Sequence, residues 1–343
     1  MAEIYAVLTL IFVLVTKAKY LHPIVLMMKN YKIIGKTASV KSLKKELKNA
    51  ATSNTTIVLL GETGTGKELL VNYIHKNSDR VNKPLLCLNC ANLAESLAES
   101  LLFGSKEGAF TGSNGDQKGI IEEIDGGTLF LDEINFLNID VQAKLLRFLD
   151  SGEYRSIGDI NIKHSNVRII VSSSSDLFNE AETGKIRKDL YFRLQAISIH
   201  IPALRTRRPD IPLLLDYYLT MFSIKNKIRK PTLSSETIST LEGYFWPGNV
   251  RQLKNLCEYL VIMKFRREIK VSDLPTNFRH PNFDEKINYI FTLPNSGIIW
   301  EEIEYNLIKQ AFNHCYNNRQ QAAKILGINT KQYDYRLKKY RII

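Results

Sequence analysis

The stretch that most constrains this chain is Gly61-Glu62-Thr63-Gly64-Thr65-Gly66-Lys67-Glu68. It follows the apolar run Thr56-Ile57-Val58-Leu59-Leu60 and precedes Leu69-Leu70-Val71-Asn72-Tyr73-Ile74. A buried strand, a glycine-rich turn and a helix, in that order, form the setting of a phosphate-binding loop. Glycines let backbone N–H groups curl around phosphate oxygens, and the helix N-terminus adds positive potential. Lys67 is placed to reach the β- and γ-phosphates. The generic loop has Ser or Thr after the lysine, where a hydroxyl helps hold Mg2+; here Glu68 stands there. Taken alone, the stretch also fits a glycine-rich strand-to-helix turn that holds no nucleotide.

A second motif decides between these. Gly127-Thr128-Leu129-Phe130-Leu131-Asp132-Glu133 is an apolar strand ending in two acids. Asp132 is placed to hold Mg2+, and Glu133 to polarise the water that attacks a γ-phosphate. A strand followed by Asp-Glu is weak by itself and gains its force from the phosphate loop upstream. Between the two motifs, Gly108-Ala109-Phe110-Thr111-Gly112-Ser113 forms a small-residue loop with one aromatic.

These residues resemble the AAA+ activators of sigma-54 RNA polymerase, the bacterial enhancer-binding proteins. That family's phosphate loop shares the Glu that follows Lys67. Cys90-Ala91 after Asn89, Glu99-Ser100-Leu101-Leu102-Phe103-Gly104 and Trp246-Pro247-Gly248-Asn249-Val250-Arg251 also look like family signatures. The likeness runs from about Ile33 to the C-terminus. It implies an α/β fold: an AAA+ P-loop core with a helical lid, plus a small all-α C-terminal helix-turn-helix domain. The function it implies is a sigma-54-dependent transcriptional regulator. Such a regulator hydrolyses ATP with Mg2+ as a homo-oligomeric ring, remodels the closed complex of the sigma-54 RNA polymerase holoenzyme, and is held on enhancer DNA.

The resemblance also implies roles for single residues. Gly61, Glu62, Thr63, Gly64, Thr65, Gly66, Lys67 and Glu68 hold the nucleotide. Gly108, Ala109, Phe110, Thr111, Gly112 and Ser113 form the loop that meets sigma-54, with Phe110 and Thr111 making the contact. Asn89 is the switch residue expected to hydrogen-bond Glu133. Arg187 and Arg193 match the arginine fingers that reach a neighbour's nucleotide, and Arg251 matches sensor II. A finger supplied in trans brings positive charge to the γ-phosphate and couples hydrolysis to assembly. On charge alone, Lys185-Ile186-Arg187-Lys188-Asp189 reads as a solvated basic face. Two departures stand out. Ser174 replaces the sensor I asparagine, and a hydroxyl offers one donor where an amide offers two and a carbonyl. Ser113 replaces the usual alanine, a change the loop is expected to tolerate.

The chain has 343 residues, of which 44% are hydrophobic and 24% charged, enough for one large domain and a small one. The net charge of +12 suits a nucleic-acid partner, although evenly spread lysines give the same total. Cysteines stand at 87, 90, 257 and 315. Cys87-x-x-Cys90 has no second pair and no nearby histidine at ligand spacing, so buried thiols in a reducing compartment are expected. Residues 4–16 form an apolar run, shorter than the roughly 20 residues of a spanning helix. Glu3 spoils the start of a secretory signal. Lys17 and Lys19 follow the run, so an anchor there would touch the membrane and leave the ATPase cytoplasmic. A packed or unstructured extension, and a start at Met27 or Met28, fit these residues equally.

The expected organisation is an extension over 1–32, a core over 33–202, a lid over 203–274, a linker over 275–297 and a DNA-binding domain over 298–343. Ser234-Ser235-Glu236 reads as a helix cap in the lid, and Pro275, Pro281 and Pro294 mark the linker. In the tail, Ile303, Leu307, Ile308, Ala311 and Phe312 share a helical face, and Gly327 makes a turn. Residues 330–340 follow as a basic helix. This tail resembles a Fis-type helix-turn-helix, with Lys331, Gln332, Tyr335, Arg336, Lys338 and Lys339 as candidate DNA contacts. Tyr333, where that pattern usually has Leu, and Asp334 are departures. A basic helical hairpin used for packing is the plainer reading of the same residues.

Two rival functions remain open at this level. One is a DNA-binding regulator that binds ATP but hydrolyses it poorly, for which Ser174 speaks and the intact Asp132-Glu133 pair does not. The other is an AAA+ motor acting on DNA directly, such as a helicase loader. The 108–113 loop argues against that, since a DNA-tracking loop would carry Lys or Arg.

Overall fold

The computed structural model describes residues 32–109, 115–263, 268–279, 297, 299–315, 318–340 and 342. The apolar run at 4–16 and residues 110–113 of the 108–113 loop lie outside the described residues. The chain divides into two compact units, residues 1–282 and 283–343.

The first unit opens on helix α1, Ala38–Ala51, which buries Val40, Leu43, Leu47, Ala50 and Ala51 at helical spacing. Strand β1, Ile57–Leu60, then leads through the glycine loop into helix α2, Lys67–Lys76. Next come strand β2, Leu85–Asn89, helix α3, Glu95–Phe103, and strand β3, Thr128–Asp132. Helix α4, Ile139–Ser151, is capped by Asn138, whose side chain accepts from the Val141 amide at 2.8 Å. Strand β4, Arg168–Ser173, helix α5, Lys188–Leu194, and strand β5, Ile197–His200, complete the core.

The five strands form one parallel sheet in the order β2-β3-β4-β1-β5. Buried strands with both faces covered read as continuous apolar runs, which is why these segments were legible. Alternate residues serve opposite faces. Val58, Leu129, Leu131, Ile169 and Val171 pack on one side with α4 and α5, while Ile57, Leu59, Phe130, Ile170 and Ile199 pack on the other with α1 and α2. Each fully buried aliphatic side chain is worth about 1.5–3 kcal/mol.

Register is what positions the site. Leu60 lies opposite Ser173, and Asn89 lies opposite Asp132. Carboxyl ends of four adjacent strands therefore converge where the glycine loop leaves β1, the position at which open α/β sheets hold ligands.

The lid follows with helix α6, Ile211–Asn226, helix α7, Ser235–Gly243, and helix α8, Asn249–Met263. Ser234 caps α7, its hydroxyl accepting from the Thr237 amide at 3.2 Å. Trp246 is fully buried and donates from its ring nitrogen to the Leu241 carbonyl at 2.8 Å. Phe278, in the stretch read as a linker, packs on Trp246 at 5.6 Å and on Tyr244 at 4.8 Å between ring centroids. Three prolines and several asparagines mark a linker by composition, but they cannot show that one aromatic among them completes a core.

The second unit contains helix α9, Trp300–His314, helix α10, Arg319–Ile325, and helix α11, Thr330–Lys339. Gly327 turns the chain between the last two at φ 66°, a left-handed conformation that favours glycine. Ala322 and Ala323 are buried against Tyr333 and Leu337, so small residues do let the helices approach. Among the described residues, no helix is long and apolar enough to cross a membrane.

Candidate active site

The glycine loop wraps from β1 into α2, with Gly66 at φ 104° before the first turn. A Cβ at Gly66 would meet nothing within 4 Å, so the cradle inside the loop is open. Lys67 is buried, and its ammonium donates to the Gly61 carbonyl at 2.9 Å and to Glu133 Oε1 at 3.1 Å. Glu68 is exposed in the first turn of α2.

Glu133 sits just past β3 with φ 56°, a rare setting for a residue with a side chain. Its second oxygen, Oε2, accepts from the Ser174 amide at 3.0 Å and from the Ser174 hydroxyl at 2.8 Å. Ser174 therefore reaches Glu133 despite being shorter than asparagine, because the amide and the hydroxyl of one residue both point there. Asp132 accepts from Ser172 Oγ on one oxygen and from Asn89 Nδ2 at 3.3 Å on the other. This corrects the expected partner of Asn89. Asn89 and Asp132 are register partners on adjacent strands, so the amide meets Asp132, while the left-handed turn carries Glu133 away toward Lys67.

The lid closes over the same loop. Arg205 holds Glu62 with two hydrogen bonds, 2.7 Å to Oε2 and 2.5 Å to Oε1, and lies 4.6 Å from the Phe245 ring centroid. That bond and charge hold the Glu62 carboxyl below the usual carboxylate range. Asn249 is fully buried at φ 48° and donates to Glu62 Oε2 and to the Thr63 carbonyl, each at 3.1 Å. Its side-chain oxygen, Oδ1, accepts from the Leu204 amide at 2.8 Å. The Arg251 amide donates to the Gly64 carbonyl at 3.1 Å, which seats that residue on the loop with an exposed guanidinium. A Cβ on Gly64 would stand 2.3 Å from the Gly248 carbonyl oxygen, so the contact requires glycine.

Thr65 is buried, with its hydroxyl on the Glu62 carbonyl at 2.8 Å, and Thr63 is exposed. Sequence reasoning gave no role to Arg205, Ser172 or Asn249. Arg205 lies within Arg205-Thr206-Arg207-Arg208, which looks like any basic surface run. Asn249 was visible only as part of a signature.

The two candidate fingers are not at this site. Arg187 forms a two-pronged pair with Asp189, at 3.0 and 2.8 Å. Arg193 pairs with Asp150 at 2.7 Å and donates to the Leu149 carbonyl at 2.6 Å. It lines a cavity with Thr56 and Val167, residues that precede β1 and β4, so it lies toward the opposite ends of the strands from the glycine loop.

Of the 108–113 stretch, Gly108 and Ala109 lie within the described residues, and Phe110, Thr111, Gly112 and Ser113 do not. Gly104 and Ser105 pair antiparallel with Lys118 and Gln117. Lys106 adds an ion pair to Asp116 at 2.5 Å, which draws that carboxyl's pKa down. Cys87, Cys90, Cys257 and Cys315 are free and buried; burial pushes the Cys87 thiol up to about 12.

In the C-terminal unit, Lys331, Gln332, Tyr335 and Lys338 are exposed on α11. Tyr333 is buried, and its hydroxyl donates to the Ile308 carbonyl at 3.1 Å. It thus fills the core position a leucine would take and satisfies its polar end. Arg336 and Lys339 differ from their neighbours. Glu304 on α9 accepts from Arg336 Nε at 2.7 Å, from Lys339 Nζ at 3.4 Å and from the Tyr340 hydroxyl at 2.5 Å.

Comparison with known proteins joins these observations. The sequence matches three family models in succession: the sigma-54 interaction domain over residues 33–200, the AAA+ ATPase lid domain over 205–288 and the bacterial regulatory protein, Fis family, over 300–340. It is 34% identical over 314 residues to the DNA-binding transcriptional regulator NtrC of Escherichia coli K12, covering 86% of this chain and 67% of that protein. It is 36% identical over 317 residues to the phenol regulator MopR of Acinetobacter guillouiae, covering 90% of this chain and 56% of that one. The chain thus spans little more than half the length of MopR. The structure is similar to NtrX from Brucella abortus, solved with ADP, with a TM-score of 0.67, 27% identity, and coverage of 91% of this chain and 69% of that one. The same protein solved with ATP gives 0.66 at 27% identity over 90% and 69%.

Proposed function

Because the chain belongs to the sigma-54-dependent transcriptional activators of the NtrC/Fis family, we propose that it hydrolyses ATP to remodel a promoter complex of sigma-54 RNA polymerase. The observation that carries this reading is the buried Lys67–Glu133 pair inside an open glycine cradle, beside the Asp132 carboxylate. A phosphate-binding cation and two carboxylates of separate roles are what phosphoryl transfer to water requires.

The residues fit Mg2+-ATP. Residues 61–67 offer backbone N–H groups and one cation to the phosphates. Asp132 is the carboxylate that would hold Mg2+, with Asn89 and Ser172 fixing its oxygens. Mg2+, when bound, draws negative charge from the phosphate oxygens. Lys67 has two demands on it, Glu133 and the incoming phosphates. Taking up the phosphates frees Glu133, which then accepts a proton from the attacking water while Ser174 fixes its second oxygen. Those two hydrogen bonds from Ser174 speak against a regulator that binds ATP without turning it over.

Arg187 and Arg193 act in this reading across a homo-oligomeric ring. Each exchanges its own aspartate, Asp189 or Asp150, for a neighbour's nucleotide, so activity per subunit rises with protein concentration. Arg251 touches the nucleotide bound in its own chain, from the lid. The 108–113 loop engages sigma-54, and α11 holds enhancer DNA. The test is open-complex formation with purified sigma-54 polymerase holoenzyme. ATP-dependent opening supports the reading; opening that needs neither ATP nor this chain ends it.

A further inference from the structure

Arg207 lies at the start of the lid, between the short turns Leu204–Thr206 and Arg208–Asp210. Only 5% of it is exposed. Its Nε is buried with no hydrogen-bond partner. Among the described residues, no hydrogen bond or ion pair reaches any part of its guanidinium. Among the described residues the other buried arginines are anchored through other guanidinium nitrogens, although Arg168 Nε is also without a partner. Arg168 donates to the Ala50 and Ala51 carbonyls, and Arg80 to the Gly127 and Asn166 carbonyls. The nearby carboxylate of Asp210 is committed elsewhere: it accepts from the Lys36 amide at 2.7 Å, the Thr37 amide at 3.1 Å and the Thr37 hydroxyl at 2.7 Å. Burial accordingly pulls the Arg207 pKa down.

An unsatisfied buried cation is costly to keep, and such a group marks a place where a ligand completes the bonding. Arg207 faces a cavity. Its walls include Ile33, Leu69, Leu214, Tyr218 and Val250, and Thr65 and Gly66 of the phosphate loop form one end. The cavity is thus largely apolar along its sides and polar at the phosphate end, and its two cationic residues are the buried Arg207 and the exposed Lys32. Guanidinium groups only donate, so the matching ligand atom is an acceptor. Phosphates already have Lys67 and the loop amides, and a ribose carries hydroxyls that apolar walls would strand. A flat heteroaromatic ring suits such walls and brings unprotonated ring nitrogens.

We propose that Arg207 recognises the purine base of the nucleotide, donating a hydrogen bond to a ring-nitrogen acceptor as the base enters the cavity between core and lid. The proposal deepens the ATPase reading and rests on it. It makes Arg207 a specificity-determining residue, whereas Lys67 and the loop amides grip any triphosphate.

Calorimetric titration of the full chain and of Arg207→Met separates the two. The probes are ATP, inorganic tripolyphosphate, and the 1-deaza, 3-deaza and 7-deaza analogues of ATP. Arg207→Met should weaken ATP roughly ten- to hundredfold, the range for a lost hydrogen bond to a charged group. Tripolyphosphate should bind both chains within about twofold, because the phosphate grip does not involve Arg207. One deaza analogue should bind the unaltered chain more weakly than ATP by a similar factor, and the Met variant should no longer tell that analogue from ATP. The analogue comparison on the unaltered chain holds even if the variant folds poorly. Undiminished ATP binding by Arg207→Met overturns the proposal. So does a parallel loss of ATP and tripolyphosphate, which marks a structural arginine, or indifference of the unaltered chain to all three analogues. If the unaltered chain binds neither ATP nor tripolyphosphate, the ATPase reading itself has failed and the proposal falls with it.

Discussion

Lys67 and Glu133 hold each other at 3.1 Å, with side chains 8% and 13% exposed, so the cation meant for phosphate is already paired with the carboxylate meant for water. Opposite charges so far out of water attract strongly, and separating them needs a competing anion. A triphosphate is such an anion. The pair therefore links two events that sequence motifs present as independent: filling of the phosphate loop and release of the base.

Glu133→Ala removes both the base and Lys67's internal competitor. Turnover is expected to fall by about a hundredfold or more, the scale of a lost general base. ATP affinity should hold or rise, because Lys67 no longer has to leave a partner. Asp132→Ala behaves differently, losing affinity for Mg2+-ATP along with turnover. Single-turnover hydrolysis paired with equilibrium binding checks this. Near-normal turnover in Glu133→Ala would remove Glu133 from the chemistry.

Asn249 carries the lid's hold on the phosphate loop through two hydrogen bonds, to Glu62 and Thr63, and a third from the Leu204 amide fixes it within the lid. It also adopts φ 48°, which asparagine tolerates better than alanine. Asn249→Ala is expected to destabilise the first unit by about 2–4 kcal/mol, since buried partners lose their bonds and the backbone gains strain. Urea unfolding followed through Trp246 fluorescence measures it. Arg205→Ala, at a partly exposed ion pair, should cost far less. Equal losses from the two would mean that the lid is not held through Asn249.

Much of the core was legible because its strands are buried on both faces, as Ile57-Val58-Leu59-Leu60 and Val167-Arg168-Ile169-Ile170-Val171 show. The glycine loop was legible because its glycines answer local backbone needs. What escaped was contact between distant segments. Arg205 and Glu62 are 143 positions apart, and nothing in Arg-Thr-Arg-Arg says which arginine grips a carboxylate and which is left without one. Asn89 shows the same limit on a finer scale. The motif named it, but only the strand register, with Asn89 opposite Asp132, decides which acid it meets.

Glu304 gives the C-terminal unit a definite response to acid. Hydrogen bonds from the Tyr340 hydroxyl and from Arg336, with Lys339 adding less, lower its carboxyl from an ordinary 4.5 to about 2. A depressed folded-state pKa stabilises the fold fully above the unfolded value and loses that contribution as pH falls through the folded one. Stability of α9 and α11 should thus decline between pH 4.5 and about 2. Glu304→Gln, which keeps an acceptor but cannot ionise, should flatten that limb and lower stability at neutral pH. Amide hydrogen exchange of α11 in the full chain reads this directly. An acid limb unchanged in Glu304→Gln would assign it to other carboxyls.

The same glutamate sorts the basic residues of α11 by their availability to DNA. Charge alone ranks Arg336, Lys338 and Lys339 together. In the structure Arg336 and Lys339 share Glu304, whereas Lys338 and Lys331 are exposed and, among the described residues, without an ion pair. A cation already neutralised releases fewer DNA counterions when it meets phosphate. Lys338→Ala is therefore expected to weaken binding to all sequences alike and to reduce the salt slope by about one. Lys339→Ala should do so less, because its charge is already partly neutralised by Glu304. Lys331→Ala and Gln332→Ala lie at the start of the helix, where side chains reach base edges, and should relax sequence preference instead. Gln332 also closes a cap with Asn329, accepting at 3.2 Å, so Gln332→Glu serves as the variant that keeps the cap and changes what the base edge meets. Gel shifts across a salt series, on enhancer and on random DNA, separate these effects. Equal salt slopes for Lys338→Ala and Lys339→Ala would mean that Glu304 releases Lys339 to the DNA.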